Sequence, residues 1–427
     1  MLVGLVSNAS KINIQDLKRI GYLHDKVYDI ENIEKADDKA RKHKSVRWGI
    51  LKHDKNKQEE NEKLSEQLKD LVYETSEYST FKIYEPKERL IFRLPYYPDR
   101  ITHHAIMNVM EPIWTKIFIK HTYSCIKDRG IHNVAYDLRA ALTEHPNETL
   151  YCLKMDVRKF YPSINHDILC EIIKRKVKDA SLLVLLIGII YSADGVPIGN
   201  YLSQFFANLY LAYFDHWVKE ELKCKFYFRY ADDIVILSSD KNFLRTVLIA
   251  IKMYLKEVLD LRLKPNYQIF PVDDRGIDFV GYRFYHTHVL LRKSIKIRLF
   301  RLVKKYQSGK IDRQELRRRM QSYFGWLKFC NSKNLLRKIQ RETGLRFSNW
   351  DGKKSNISRF YNKYIHVVDM VSYSKCFRVN FVYNNKSYYF ESKSRELFYS
   401  LTRYSFPVNF KIRPYVRTKK SRNECTA

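Results

Sequence analysis

The chain begins with a polar, helical pattern. Leu64, Leu68 and Leu71 recur at helical spacing in a stretch dense in Lys, Glu, Gln and Asn, which is typical of a solvated helix with one narrow apolar stripe. We therefore predict a helical extension over residues 1–88. Later periodic segments predict further helices, at 99–110, 167–178, 181–191, 203–221 and 243–259.

Short apolar runs predict the strands. The run from Leu150 to Met155 ends at Asp156 and indicates a buried strand. Two β-rich runs, Phe226–Tyr230 and Ile234–Leu237, flank Ala231-Asp232-Asp233 and predict a hairpin with two acids at its tip. Burial of both strands would place that tip at the edge of a cleft.

The pattern changes again in the last third. Residues 277–291 predict another hairpin, and residues 295–345 are helical and very basic. In the tail, alternating segments at 377–382 and 387–392 surround Asn384-Asn385 and predict two strands. A small core is expected there from four aromatic residues: Trp350, Phe377, Phe381 and Tyr388.

The net charge of the chain indicates the class of partner that it binds. The formal net charge is +31, which favours a polyanion and its rapid electrostatic capture. The excess lies mainly after Leu290, where aromatic and basic residues are interleaved in a way that suits base stacking and phosphate binding. Charge alone leaves open a ribosome-like or membrane-surface protein.

Seven cysteines are scattered without a C-x-x-C pair. This pattern offers no zinc ribbon and suits reduced thiols in a cytoplasm. The N-terminus lacks a signal-peptide pattern, and no apolar run reaches about 18 residues. We therefore expect a cytoplasmic protein with no membrane partner.

Three acids suggest metal chemistry. Carboxylate oxygens are the ligands that Mg²⁺ prefers, together with substrate phosphates. Two ions about 4 Å apart can activate a 3′-hydroxyl and stabilise a leaving pyrophosphate. Asp156 at a strand end could supply a third ligand beside Asp232 and Asp233. Taken singly, the pair could be an ordinary turn and Asp156 an ordinary strand end.

These motifs resemble those of reverse transcriptases. Tyr230-Ala231-Asp232-Asp233 is similar to the Y-x-D-D box, and Asp156–Tyr161 is similar to the first palm motif. The resemblance implies that the three Asp are catalytic and bind metal with the Val157 carbonyl. It also implies that Phe160 and Tyr161 bind the nucleotide, with Tyr161 excluding a 2′-hydroxyl so that the product is DNA.

A further box lies between them. Val196–Gln204 resembles the family's P-Q-G-x-x-x-S-P box, which contacts template and nucleotide, and it implies roles for Gly199, Ser203 and Gln204. Gly199 would let the backbone approach substrate, and Ser203 would cap the following helix. The chain departs from the common form at Ile198 and Gln204.

Other matches follow in order over residues 90 to 345. Arg93 to Arg100 resembles the fingers segment, and Tyr123 to His132 resembles a second fingers block, in which Lys127 and Arg129 would meet triphosphate and template. The primer-grip hairpin is matched by four residues: Phe279, Val280, Gly281 and Tyr282.

No residue can be clearly assigned as the general acid that protonates the leaving pyrophosphate. Lys264 lies near the motif that supplies a general acid for pyrophosphate, but Tyr267 stands where a Lys is expected. The general acid therefore stays unassigned.

The resemblance implies an α+β, right-hand polymerase fold. Fingers and palm would span residues 89–285, a helical thumb 286–345, and a basic RNA-binding region 346–427. It further implies two Mg²⁺ ions, dNTP substrates, an RNA template, a cDNA product and an RNA/DNA duplex.

The biological role has several candidate answers. The Ser203-Gln204 form is associated with diversity-generating retroelements, whose enzymes need an accessory protein, and with bacterial defence enzymes, which use a structured non-coding RNA. The basic tail favours defence. Group II intron and retron enzymes fit less well, because the chain lacks a Cys-rich end and a Val-Thr-Gly triplet. A catalytically inactive RNA-binding protein is a further alternative.

Overall fold

The computed structural model describes residues 18–84 and 88–345, together with strands at 366–372, 377–383, 386–392 and 413–414. The contacts divide the chain into two units, Met1–Ser332 and Lys333–Ala427. Each unit is described by itself below.

The first unit opens with four helices, as the sequence predicts: α1 His24–Tyr28, α2 Ile30–Arg41, α3 Trp48–His53 and α4 Lys57–Lys69. Leu64 and Leu68 are fully buried, so the narrow apolar stripe is a packing seam. The end of the predicted extension differs, because strand β1 (Ser79–Ile83) pairs antiparallel with β2 (Arg89–Arg93) across residue 88.

Helices α5 (Ile101–Trp114) and α6 (Ile131–Glu144) follow a short irregular turn at Tyr96–Arg100. Helix α2 packs against α5. The Asn32 side-chain amide donates to the Ala105 carbonyl at 3.1 Å, which fixes this contact. The N-terminal helices are therefore an integral part of the first unit.

A five-stranded sheet occupies the middle of this unit. Its strand order is β3-β5-β6-β4-β7, and every pairing is antiparallel except β3 with β5. The strands are β3 Thr122–Tyr123, β4 Tyr151–Asp156, β5 Phe226–Tyr230, β6 Asp233–Ser238 and β7 Gln268–Pro271. The predicted strand and hairpin are confirmed, and they lie side by side.

Apolar helix faces line the hydrophobic core that these strands share. The helices are α7 His166–Lys174, α8 Ala180–Ile190, α9 Tyr201–Tyr210, α10 Ala212–Glu220 and α11 Lys241–Glu257. The sequence predicted one helix over 203–221, but the structure breaks it at Leu211 into α9 and α10. Both halves stay buried, so the periodic pattern runs through the break without marking it.

The region from 272 to 332 holds one short helix, α12 (Val272–Arg275), and a three-stranded sheet of β8 Ile277–Phe279, β9 Tyr282–Phe284 and β10 Val289–Leu291. The predicted hairpin thus has a third strand. Two helices follow, α13 Lys293–Gln307 and α14 Arg313–Leu327. Gly309 adopts a positive φ of 69° in the turn that separates them.

The second unit contains helix α15 (Lys333–Thr343) and a four-stranded antiparallel sheet. Its strands are β11 His366–Ser372, β12 Phe377–Tyr383, β13 Lys386–Ser392 and β14 Arg413–Pro414. Both predicted tail strands are confirmed, and β11 was not predicted. Trp350 and the side chains of Phe377, Phe381 and Tyr388 lie outside the described residues, so the predicted aromatic core does too.

None of the described helices combines the length and the apolar character that crossing a membrane requires. The five cysteines in the described ranges are free thiols, as the scattered pattern predicts: Cys125, Cys152, Cys170, Cys224 and Cys330.

Candidate active site

Strand pairing brings the three predicted acids together. Asp156 ends β4 directly opposite Asp233, the first residue of β6. Residues opposite each other in an antiparallel pair have Cα atoms about 4.5–5.5 Å apart. Asp232 is tied in from the hairpin turn, because its carbonyl accepts the Val157 amide at 3.2 Å. The carboxylates therefore share one edge of the sheet, as the sequence predicts.

Hydrogen bonds from the Arg229 side chain hold the turn before Asp232. Ala231 adopts a positive φ of 53°, which non-glycine residues rarely take. The fully buried Arg229 guanidinium donates to the Ala231 carbonyl at 3.0 Å and to Asn208 Oδ1 at 3.2 Å. Arg229 thereby fixes the backbone that carries the paired acids.

Asp215 on α10 anchors Arg229. Two parallel hydrogen bonds of 2.7 and 2.6 Å join the guanidinium to its carboxylate, and both side chains are fully buried. Thr122 and Tyr227 also donate to Asp215. The sequence interpretation missed this network, although a charged residue inside the apolar β5 run was a signal for it.

Burial and mutual repulsion mark the paired acids. Burial raises the pKa of Asp233 to about 7, against the attraction of Lys154. Burial, followed by the neighbouring Asp156 carboxylate, raises the pKa of Asp232 to about 6. Both effects disfavour the charged form of a carboxyl group. The negative charge of the two carboxylates is therefore unfavourable at this site.

Two lysines offset part of that charge. Lys264 Nζ donates to Asp156 Oδ2 at 2.6 Å, and its amide donates to the Asp156 carbonyl at 2.8 Å. Lys154 Nζ lies 3.7 Å from Asp233 Oδ1 and donates to the Asp278 carbonyl. The structure thus places Lys264 on one of the three acids, a contact that the sequence did not predict.

The carboxylate oxygens of the three acids are chemically suited to bind divalent cations. Asp156 Oδ1 and Asp233 Oδ1 are buried without a hydrogen-bond partner, and carboxylate oxygens are hard ligands. Within the described ranges, however, no group of three His, Cys, Asp or Glu side chains stands in a metal-binding arrangement. Binding would therefore require the carboxylates to reorient, away from Lys264 in the case of Asp156. The predicted role of the Val157 carbonyl stays a prediction.

Tyr161 lies beside this edge. Burial, followed by Cys125 and Asp232, raises the pKa of its phenol above the ordinary range. Its carbonyl accepts the Val196 amide at 2.9 Å. Phe160 is buried in the hydrophobic core with its ring 5.6 Å from that of Tyr161. Phe160 therefore supports Tyr161 from the core side.

The glycine box differs from expectation in two respects. Helix α9 begins at Tyr201 with Asn200 in the cap position, so the prediction that Ser203 caps it is wrong. Ser203 lies inside the helix and is buried, because the helix starts two residues earlier than expected. Gln204 is half-buried on the same helix.

Gly199 packs closely against the neighbouring strand β2. It has a φ of 127°, and a Cβ there would lie 2.4 Å from the Phe92 carbonyl oxygen. The Phe92 amide donates to the Ile198 carbonyl at 2.8 Å, which holds β2 against this loop. The close backbone approach that the sequence assigned to substrate is made here by the chain itself.

The residues of the second fingers block line a cavity that is separate from the three acids. Lys127 is exposed, and Arg129 donates to the Ile119 carbonyl at 2.8 Å. Both line an open cavity of about 610 Å³ with Lys39 and Lys116, and none of the three acids lines it. Their predicted contact with the triphosphate stays a prediction.

The predicted primer-grip residues form a tight turn. Phe279 and Tyr282 are paired at the β8–β9 end, with Val280 and Gly281 at positive φ between them. The Tyr282 hydroxyl donates to the Trp326 carbonyl at 3.1 Å. A Cβ on Gly281 would lie 2.3 Å from the Trp326 ring, so only glycine fits at this position. The turn is therefore packed against α14.

Comparison with known proteins agrees with this geometry. Residues 85–284 match the family model for reverse transcriptase (RNA-dependent DNA polymerase). The chain is 24% identical over 249 residues to Protein YkfC of Escherichia coli strain K12, covering 47% of this chain and 65% of that one. It is 24% identical over 239 residues to the Retron Ec73 reverse transcriptase of Escherichia coli, covering 52% and 73%.

The chain thus spans slightly less than two thirds of YkfC. Among solved structures, telomerase from Candida albicans in complex with the TWJ fragment of telomeric RNA is 12% identical, with a TM-score of 0.38, over 69% of this chain and 63% of that one. The domain match confirms the resemblance that the motifs predict, and with it the α+β, right-hand polymerase fold.

Proposed function

We propose that this chain, which carries a bacterial reverse transcriptase domain over residues 85–284, is an RNA-directed DNA polymerase that extends a primer with dNTPs. One observation carries the proposal: strand pairing sets Asp156 beside Asp233 and the adjoining Asp232. An inactive RNA-binding protein would have no need of three half-buried acids gathered at one end of a sheet.

Asp156, Asp232 and Asp233 would hold two Mg²⁺ ions, with the Val157 carbonyl as a further ligand. When bound, such ions supply activation of the primer 3′-hydroxyl and stabilisation of the leaving pyrophosphate. The protein's part is positioning. Arg229 holds the turn that presents Asp232 and Asp233, and Lys264 and Lys154 limit repulsion among the acids.

We propose that Tyr161 selects the sugar. Its ring lies 5.6 Å from that of Phe160, and its carbonyl accepts the Val196 amide. A packed ring there would exclude a 2′-hydroxyl on the sugar of the incoming nucleotide. Gly199, Ser203 and Gln204 would then shape the neighbouring wall of the nucleotide site.

We propose that the template is a structured non-coding RNA and that the enzyme acts in antiphage defence. The basic tail supports this, because residues 346–427 carry 17 Lys and Arg against 5 Asp and Glu. The likeness to a retron reverse transcriptase is compatible with such a template. The alternative is a diversity-generating retroelement enzyme with an accessory protein, which the Ser203-Gln204 form favours equally.

Primer extension tests the activity. The chain should extend a DNA primer on an RNA template with dNTPs and Mg²⁺, whereas Asp232→Asn should lose activity by roughly a thousandfold, or about 4 kcal/mol in barrier. RNA binding should stay unchanged in this variant, because phosphate neutralisation by distant Lys and Arg supplies most non-specific affinity. Equal loss of binding and synthesis would contradict the assigned role.

A further inference from the structure

The face of the five-stranded sheet that carries the acids also carries a lysine. Side chains alternate between the two faces of a strand, and Leu153 and Met155 of β4 lie in the hydrophobic core. Lys154 therefore shares the other face with Asp156. Because Asp156 is paired with Asp233 on β6, Lys154 and Asp233 are diagonal neighbours, and Lys154 Nζ lies 3.7 Å from Asp233 Oδ1.

The same ammonium group also contacts a second sheet. Lys154 Nζ donates to the backbone carbonyl of Asp278 on β8. Strand β8 is an edge of the three-stranded sheet, whose order is β10-β9-β8, and an edge strand presents carbonyls that no neighbouring strand pairs. Lys154 therefore joins the sheet that carries the acids to the sheet that carries the predicted primer-grip turn.

Asp278 is also held through its side chain, by Arg292. Arg292 Nε donates to Asp278 Oδ1 at 2.5 Å. The Arg292 amide donates to the carbonyl of Gly281, in the turn between β8 and β9, at 3.0 Å. Arg292 is the residue directly before α13. A continuous series of contacts therefore links the turn to Lys154, and through Lys154 to Asp233.

A second contact between these two regions lies at the other end of β4. Thr149, two residues before β4, has its Oγ1 3.0 Å from Nε2 of His286, which follows β9 by two residues. Nδ1 of His286 lies 2.7 Å from Asp273 Oδ2. This contact is remote from Asp156, which ends β4, whereas the Lys154 contact lies next to the acids.

We propose that Lys154 is a positioning residue that fixes the predicted primer-grip turn relative to the catalytic acids. The inference deepens the proposed polymerase function and rests on it. It also goes beyond charge compensation, because one ammonium group contacts both Asp233 and the strand that leads into the turn. A primer end held by that turn would then stay aligned with the acids. Alignment matters steeply, since a displacement of about 1 Å can slow a reaction by about a hundredfold.

Single-turnover primer extension at saturating Mg²⁺ tests this role. In Lys154→Met the rate constant should fall by roughly tenfold or more, because the primer end loses its alignment. The Kd for the dNTP should stay unchanged. Lys154→Arg should recover most of the rate, because it keeps a cation with N–H donors on a stem of similar length. Thr149→Val is the matched control: it removes the remote contact and should leave the rate constant unchanged.

Hydrogen–deuterium exchange adds a measurement that does not depend on activity. Amides of residues 277–284, which form β8, the turn and β9, should exchange faster in Lys154→Met than in the wild-type chain, because the hairpin opens more often. Exchange in the core strands of the five-stranded sheet should stay unchanged, which also shows that the variant is folded.

Two results would overturn the role of Lys154. A wild-type rate constant in Lys154→Met at saturating Mg²⁺ would show that the lysine only offsets charge, since added cations replace it. Unchanged exchange at residues 277–284 would show that it does not hold the hairpin. Either result beside an active wild-type chain refutes this role alone, whereas a wild-type chain that extends no primer would refute the proposed function and this role with it.

Discussion

At the scale of single residues, Arg229 explains how an apolar sheet can present two charged groups. A buried ion pair rarely adds stability, because desolvation offsets the attraction. Here the pair with Asp215 has a different consequence, since the same guanidinium holds the Ala231 carbonyl in a positive-φ turn. Asp232 and Asp233 follow directly in the chain, so their direction depends on that bond.

Substitution of both charges should separate stability from positioning. Arg229→Met alone leaves Asp215 buried and unpaired, and we expect a loss of about 3–5 kcal/mol in urea unfolding. Arg229→Met/Asp215→Leu should recover most of that stability. Primer extension should stay low in the double variant, because nothing holds the Ala231 carbonyl. Wild-type activity in a stable double variant would show that the pair is only structural.

Tyr161 offers a second residue-scale prediction. Tyr161→Ala should admit ribonucleotides, lowering the preference for dNTPs by roughly tenfold or more, about 1.4 kcal/mol. Tyr161→Phe is the matched control, because it keeps the ring that would exclude the hydroxyl. Single-nucleotide incorporation of dNTP against rNTP measures both variants. An active Tyr161→Ala enzyme with unchanged preference would reduce Tyr161 to a packing residue.

The residues that sequence could predict share one property. Asp156, Asp232 and Asp233 each lie at the end or the start of an apolar run, and the resemblance of these runs to reverse transcriptase motifs singles them out. Arg229 lies on a strand and is paired with a residue of a helix, and the pattern along one strand does not show such a partner. Ser203 was misplaced because Asn200 takes the cap position at the start of α9.

At the scale of elements, the loop before α9 joins β2 to the segment that follows β4. Its Ile198 carbonyl bonds to β2, and Val196 bonds to Tyr161. Gly195 also leaves no space, because a Cβ would lie 2.6 Å from the Pro162 carbonyl oxygen. This one loop therefore couples the β1–β2 hairpin to the residue proposed to select the sugar.

Gly199→Ala should weaken that coupling. The new Cβ would meet the Phe92 carbonyl at 2.4 Å, in a backbone region that costs roughly 1–3 kcal/mol for other residues. We expect lower thermal stability together with reduced dNTP selectivity. Gly188→Ala in α8 is the control, because its Cβ meets nothing within 4 Å and it should gain up to about 1 kcal/mol. Equal behaviour of the two variants would contradict the contact.

Strands and helices were largely predictable from the hydrophobic period, whereas helix breaks, very short strands and strand pairings were not. The pattern of 203–221 stays apolar through Leu211, where the helix breaks. The third strand β10 is three residues long, and alternation over so few positions carries little information. The pairing of β1 with β2 across residue 88 is a tertiary choice that period cannot show.

At the scale of the whole molecule, the charge is distributed unevenly along the chain. The tail contributes a net +12 of the +31, from a region with a four-stranded sheet among its described residues. A basic region of this kind can act as a general electrostatic clamp or as the reader of one RNA. The two differ in selectivity, and composition alone does not separate them.

We propose that residues 346–427 bind a specific, structured RNA encoded in the same operon. A chain truncated after residue 345 should lose its preference for that RNA over a scrambled one, while still extending an artificial primer on an RNA template. A general clamp would instead lose affinity for both RNAs alike. Its salt dependence would also become shallower, by about 0.7 in logarithmic slope for each single-strand phosphate that the truncated chain no longer neutralises. Binding to both RNAs at two salt concentrations measures this, and an undiminished preference in the truncated chain would refute specific recognition by the tail.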